Sequence, residues 1–155
     1  SKFNDKMTDY SSVYFDLRNY KSFSNSKHRV WANKLFWWNT FGGNPHYLDL
    51  PSIGWDHYQK TGRGFTRNRF RSNALIYLES EYRTDITKDG LLGAVFFANV
   101  SSVSAIDTYQ FKKFNPAIGT GLRIKWSKIN NSNISLDLGV SKQDVTFRVG
   151  FYENF

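Results

Sequence analysis

The sequence predicts an all-β protein, and three observations support this class. The chain of 155 residues has few of the strong helix formers Ala and Glu, while aromatic residues make up 18% of it. Apolar and polar residues alternate along much of the chain, as they do in half-buried strands. No apolar run approaches the roughly 18–20 residues of a membrane-spanning helix. The length suits one domain, or one piece of a larger one.

Seven stretches show the alternation, and they are separated by turn-forming segments rich in Asn, Ser, Asp and Gly. We therefore predict an antiparallel sheet with its strands in chain order and no long helix. The pattern leaves the two faces of the second stretch unassigned. The predicted strands are 12–20, 28–38, 74–83, 91–100, 119–126, 134–140 and 144–155.

Each predicted strand has one apolar and one polar face, because successive side chains point to opposite sides. Lipid could cover the apolar face directly, whereas in water a second layer would have to cover it, as in a soluble sandwich. We expect these residues to face lipid: Ile76, Leu78, Phe96, Leu122, Ile124, Leu136, Leu138, Phe147 and Val149. The polar face carries Asp16, Arg18, Glu79, Glu81, Arg83, Arg123, Lys125, Asp137 and Arg148.

The predicted connections favour the membrane alternative, because they alternate between short and long. The long ones are 40–73 and 101–118, and the short ones are 22–27, 84–90 and 127–133. Outer-membrane barrels alternate tight periplasmic turns with longer extracellular loops in this way. Tyr82, Trp126 and Phe155 would form an aromatic girdle at the periplasmic side. The sequence therefore predicts an antiparallel transmembrane β-barrel.

The basic balance of the chain has a competing explanation. Lys and Arg number 21 against 13 Asp and Glu, a formal charge of +8, and Arg63, Arg67, Arg69 and Arg71 are interleaved with aromatic residues. Such a patch can bind nucleic acid, although a solvated basic loop explains it as well. We expect no nucleic-acid partner.

The sequence offers little to a catalytic or metal site. There is no Cys, and the three His residues form no closely spaced pair, so we expect no metal and no cofactor. Glu79 and Glu81 share a strand face and could be a catalytic pair, but a charged barrel interior explains them more simply. We expect that the chain is not an enzyme.

Three motifs resemble the BamA/TamA-type outer-membrane assembly barrels, the bacterial surface antigen family, in a Bacteroidetes-like variant. They are GRGF at 62–65, RFR at 69–71 and LESEYR at 78–83. The resemblance covers roughly 28–155 and implies that the chain, 1–155, is the C-terminal part of a sixteen-stranded barrel, its tenth to sixteenth strands. It also implies that 39–73 is the long extracellular loop that folds into the lumen.

The same resemblance implies how this loop docks. Its tip would be Arg63, Gly64 and Phe65. The family's Phe-x-Asp-x-Gly strand motif matches 97–101, with Asn99 in place of Asp and Ser101 in place of Gly. The inferred docking partners are Glu79, Glu81, Phe97 and Asn99. We expect the Arg63 guanidinium to reach Glu81 or Glu79, with Asn99 and a backbone carbonyl as further acceptors.

The end of the chain resembles the barrel-assembly signal of outer-membrane proteins. Arg148, Gly150, Phe151 and Phe155 match that pattern, while Glu153 stands where an apolar residue is usual. The resemblance makes 145–155 the seam strand, which pairs weakly with the first strand of the barrel. Gly150 would weaken the pairing further, or simply allow close packing in the lumen.

The function that the resemblance implies is insertion, assembly or translocation of proteins in the bacterial outer membrane. The expected partners are outer-membrane lipids, substrate outer-membrane or secreted proteins, and other subunits of an assembly complex. The remaining strands would lie N-terminal to Ser1 or on another polypeptide. Two alternatives stay open: a barrel that anchors or secretes a fused or partner domain, and a soluble basic β-domain that binds nucleic acid or polysaccharide.

Overall fold

The computed structural model describes residues 9–23, 29–57, 60–106, 108–127 and 132–151, and they form one antiparallel sheet. Its strands are β1 (Ser11–Ser22), β2 (Arg29–Phe41), β3 (Ala74–Asp85), β4 (Leu92–Ser104), β5 (Phe111–Ser127), β6 (Ser132–Ser141) and β7 (Val145–Gly150). Each strand pairs with its neighbours in chain order, so the predicted all-β class, strand number and strand order are confirmed.

The sheet is open, because β1 and β7 each pair with one described strand only. Within the described residues the only helical element is a 3-10 turn, Tyr47–Asp49. No helix in this part of the chain is long and apolar enough to cross a membrane.

The predicted alternation of connection lengths is wrong. We expected a long connection at 101–118, but β4 continues to Ser104 and β5 begins at Phe111. Pro116 and the charged pair Lys112–Lys113 interrupt the alternation, so the sequence did not predict this additional length of β5. Pro116 is tolerated because it immediately precedes Ala117, the residue of β5 at which pairing with β6 begins. Between described strands, 42–73 is therefore the one long connection.

The two faces of the sheet differ in polarity as the alternation predicts. The inner face, defined as the one that 42–73 packs against, buries Tyr77, Glu81 and Val95 completely. On the outer face Phe96 is 55% exposed and Phe147 is 65% exposed. All nine apolar residues expected to point outward lie on this outer face, either exposed or half-buried. That they contact lipid stays a prediction.

The second strand, whose faces the sequence left open, follows the same rule. Lys34 and Phe36 of β2 are buried on the inner face, and Trp31 is 43% exposed on the outer one. At the same end of the sheet, Tyr82 contacts Trp31 and Phe23, with ring centroids 6.3 and 6.4 Å from its own. The girdle itself stays a prediction, since the Trp126 side chain and Phe155 lie outside the described part of the chain.

The apolar core lies between the sheet and its long connection. Ile53 and Phe65 of the connection are buried against Phe36, Leu75 and Tyr77 of the inner face. The connection is itself ordered by hydrogen bonds: the Ile53 N–H donates to the Phe70 carbonyl at 3.0 Å. The segment 42–73 is therefore a packed layer on the sheet.

Candidate functional site: an arginine cluster beneath the loop tip

The tip of the long connection, residues 62–65, is a tight turn that needs its glycines. Gly62 and Gly64 have φ angles of +77° and +86°, a conformation that L side chains rarely adopt. The Phe65 N–H closes the turn on the Gly62 carbonyl at 3.1 Å. A Cβ atom at position 62 would lie 2.6 Å from Ile53 Cγ1, so space as well as backbone angle requires glycine there.

The turn directs the Arg63 side chain into the inner face of the sheet, where it is 1% exposed. Its Nε and Nη2 donate to the two carboxylate oxygens of Glu79 at 3.1 and 2.7 Å, a bidentate arrangement. Nη2 also donates to Glu81, and Nη1 donates to Asp137 at 3.3 Å. The guanidinium carbon lies 3.8 Å from the ring centroid of Phe97. The predicted contact with the two glutamates is present.

The contact with Asp137 shows that the sheet curves. Glu79 lies on β3 and Asp137 on β6, with two strands between them. In a flat sheet such positions are about 14 Å apart, at a strand spacing of about 4.8 Å. One guanidinium reaches both carboxylates, so the strands bend around the loop tip.

The cluster is balanced in charge. It brings three guanidinium groups, of Arg63, Arg83 and Arg123, against three carboxylates, of Glu79, Glu81 and Asp137. Arg123 Nη1 donates to Asp137 at 2.6 Å, and Arg83 Nε donates to Glu81. Burial alone would lower the pKa of Arg63, but Glu79 and Glu81 outweigh it and raise the pKa. Arg63 therefore stays charged, and its removal would leave buried carboxylates short of a partner.

Asn99 supports the tip in a different way from the one we expected. Its Nδ2 donates to the Arg63 backbone carbonyl at 2.9 Å and to Glu79 at 3.2 Å. The expectation that Asn99 accepts a hydrogen bond from the guanidinium is wrong. The Tyr77 hydroxyl also donates to Glu79, so that this carboxylate receives bonds from three residues.

The tip also holds β7, the last described strand. The Gly64 N–H donates to Thr146 Oγ1 at 2.9 Å. Arg148 donates from Nη1 to the Thr61 carbonyl at 3.1 Å and from Nη2 to the Gly62 carbonyl at 2.7 Å. Arg148, which the sequence placed in a C-terminal signal, is thus directed inward to the loop backbone.

The other residues of that signal have few described contacts. Gly150 is the final residue of β7 and pairs with Ser135 of β6. Phe151 follows the strand and is 69% exposed. Phe155 lies outside the described residues. A role for these positions in recognition of the chain end stays a prediction.

Glycine on β6 makes room for the tip. A Cβ atom at Gly139 would lie 2.5 Å from the Gly64 nitrogen and 3.2 Å from the Arg63 carbonyl carbon. The tip backbone therefore lies directly against the backbone of β6. At Gly93, on the inner face of β4, an added Cβ would meet nothing closer than 3.4 Å.

Sequence reasoning missed Asp137, Gly139 and Thr146 as parts of this site. Asp137 was assigned to the polar face, and Gly139 shares its phase on β6, so alternation alone places both inward. What the pattern lacked was the curvature that brings β6 and β7 to the tip. The backbone partners of Arg148 carry no signal in the sequence, because every residue has a carbonyl.

The arrangement is chemically suited to holding a loop in place. Each carboxylate of the cluster is engaged by a guanidinium. No group of three or more potential metal ligands occurs in the part of the chain that the structure describes. The expectation that the chain is not an enzyme stays a prediction.

No protein-family model matches the chain, and no curated protein matches it either. The resemblance to the assembly barrels therefore rests on the motif residues, and what it implies is carried forward as a proposal.

Proposed function

We propose that this chain is the C-terminal part of a bacterial outer-membrane β-barrel that inserts, assembles or translocates other proteins. The observation that carries the proposal is the burial of Arg63 at the tip of a long loop, bonded to β3 and β6. A guanidinium held this way inside a curved sheet is what the family resemblance implies for the lumen loop. On this proposal 39–73 starts and ends at the extracellular side.

The membrane part of the proposal is supported by the polarity of the two faces. A sheet that buries charged side chains and exposes apolar ones suits an apolar surrounding. On β5 the outward apolar positions run from Phe114 to Ile124, which are ten residues apart. That distance is about 33 Å along a strand, and at a tilt of about 40° it spans about 25 Å. Outer-membrane barrels have an apolar band of about this height.

The mechanism we propose uses the outer edge of β7. Among the described residues this strand pairs with β6 through six residue pairs, whereas β3 and β4 share eleven. A shorter ladder is weaker, so the edge of β7 is suited to receive a strand from a substrate protein. Thr146 and Arg148 also bond the loop tip. Undocking of the tip would therefore loosen the same strand that receives the substrate.

The direct test is a folding assay in lipid vesicles that contain the purified protein. A urea-denatured outer-membrane barrel protein is added, and its rate of insertion is followed by gel mobility. We expect faster insertion than in vesicles with an equal mass of an unrelated barrel protein. Arg63→Lys should lose most of the acceleration, nearly as much as Arg63→Ala, because Lys keeps the charge but not the two-pronged geometry.

Two results would count against this proposal. Equal insertion rates with and without the protein would exclude an assembly role and favour an anchor or a secretion pore. A protein that stays monodisperse in buffer without detergent would contradict the membrane location itself.

A further inference from the structure

A cavity lies apart from the arginine cluster, between the start of β1, the end of β2 and the first half of the long connection. Its volume is about 430 Å3, within the range of small-molecule sites. It is lined by five aromatic side chains, of Tyr10, Tyr14, Phe36, Trp38 and Trp55, and by the Asp49 carboxylate. Of these groups, Phe36 and Trp38 also belong to the core against which Phe65 of the loop tip packs.

The most exposed tryptophan of this cavity is held on a rigid backbone. The Trp55 side chain is 49% exposed, whereas its backbone N–H donates to the Ser52 carbonyl at 3.3 Å. The preceding Gly54 N–H donates to Thr61 Oγ1 at 3.0 Å, and buried Asp56 accepts from the Thr61 N–H at 3.0 Å. An indole that is carried on a fixed backbone and left half in water is available to stack against a ligand.

The other aromatic rings form an ordered wall. Tyr14 stacks on Phe36 with centroids 6.2 Å apart, and Phe36 meets Trp38 edge-on at 6.4 Å. The Trp38 indole N–H donates to Ser12 Oγ at 2.7 Å, which fixes the ring. The cavity therefore presents fixed ring surfaces.

Polar groups converge on one side of this wall. The Asp49 carboxylate interacts with the Tyr10 hydroxyl and raises the pKa of Tyr10. A carboxylate can accept about four hydrogen bonds, so Asp49 keeps acceptor capacity for a ligand. His57 also lines the cavity. Flat apolar faces beside a hydrogen-bonding edge match a molecule that has both kinds of surface.

We propose that this cavity binds a pyranose ring of a glycan. The C–H groups of a sugar ring would pack on the aromatic faces, whose negative quadrupole attracts them, and its hydroxyls would bond Asp49 and His57. A purely apolar ligand would cover the Asp49 carboxylate without offering it a hydrogen bond.

An organic cation, the usual alternative for an aromatic cage, fits the charges less well. Asp49 is the one carboxylate among the described lining residues, and it already interacts with the Tyr10 hydroxyl. The Arg71 guanidinium donates to the carbonyls of Tyr47 and Leu48 at 2.8 and 2.7 Å, which places a positive charge at the backbone just before Asp49. A neutral, hydroxyl-rich ring meets no such repulsion.

The site does not depend on the proposed assembly function, because it uses none of the charged and hydrogen-bonding side chains that hold the loop tip. The test is saturation-transfer NMR on the purified protein in an amine-oxide detergent, which avoids the competing sugar headgroups of maltoside detergents. The probes are maltohexaose, cellohexaose and chitohexaose, each at millimolar concentration. We expect saturation of the aromatic protons to reach the ring C–H protons of at least one of them.

Variants of the rim then locate the site. Trp55→Ala should weaken binding about tenfold or more, the loss typical of an aromatic anchor, while Trp55→Phe retains part of it. The matched control is Tyr47→Ala, since Tyr47 is an exposed aromatic of the same segment that does not line the cavity. Trp55→Ala binding as tightly as the unchanged protein would overturn the proposal. Failure of all three sugars to bind would also overturn it.

Discussion

The inner and outer faces of the same four strands, β3 to β6, have opposite relations to their surroundings. On the inner face Glu81 is fully buried and the Arg63 of the loop is 1% exposed, and both are bonded to opposite charges. On the outer face Phe96 and Leu138 are 55% and 45% exposed, with no layer over them among the described residues. In water-soluble proteins, an antiparallel sheet commonly packs its apolar face on the core and leaves its polar face solvated. The charged face is therefore the one that packs against the rest of the fold, and the apolar face is the one that is exposed.

The largest loss of stability is expected when the central cation of the inner face, Arg63, is removed. Arg63→Ala leaves Glu79, Glu81 and Asp137 with one guanidinium fewer in a buried setting. We expect it to lower the free energy of unfolding by about 3–5 kcal/mol, as measured by urea titration of the detergent-folded protein. Arg63→Lys should cost nearly as much. The control is Arg67→Ala on the exposed part of the same loop, and an equal loss there would contradict a special role for the tip.

The outer face is tested by placing a charge on it. Ile118 lies near the middle of β5 and is 65% exposed. In a bilayer Ile118→Arg should cost about 2–4 kcal/mol, the value for a cation near the midplane of a barrel. Ile106→Arg is the control, because Ile106 is 64% exposed but lies in the connection between β4 and β5. Both variants folding into vesicles equally well would mean that water, not lipid, covers this face.

The fit of the tip on β6 can be disturbed without any change of charge. In Gly139→Ala the new methyl group collides with the Gly64 backbone, so we expect a loss of about 1–3 kcal/mol. The displaced tip should also expose 42–73 to trypsin. Gly93→Ala, an inward position on β4 with room for a methyl, should leave both stability and cleavage unchanged. Identical trypsin patterns in the two variants would show that the tip does not rest on Gly139.

The smallest effect is expected at Asn99, where this chain differs from the motif of the family it resembles. Asn99→Asp restores the family residue but removes the donor to the Arg63 carbonyl and adds a fourth carboxylate. We expect a loss of about 1–2 kcal/mol at neutral pH. The loss should shrink as the pH falls, because a protonated carboxyl can donate again; thermal unfolding at several pH values measures it. A stabilised variant at neutral pH would mean that the cluster prefers a negative charge there.

The difference between the faces was visible in the sequence, since period-two alternation places Glu79 and Glu81 together and Leu78 opposite them. What alternation did not contain was the third dimension. Asp137 meets Arg63 only because the sheet curves, and the partners of Arg148 are backbone carbonyls. The sequence predicts too short a β5 because a proline usually ends a strand, whereas Pro116 lies in a part of β5 that does not pair with β6.

Spin labelling can show whether the outer face of the sheet contacts lipid, as we propose. The chain has no Cys, so single labels can be introduced at Phe147→Cys, at Ile118→Cys and, as the loop control, at Arg67→Cys. In vesicles we predict that the labels at 147 and 118 collide more with apolar oxygen than with a water-soluble nickel chelate, while the label at 67 does the opposite. Nickel accessibility at 147 and 118 equal to that at 67 would contradict the account.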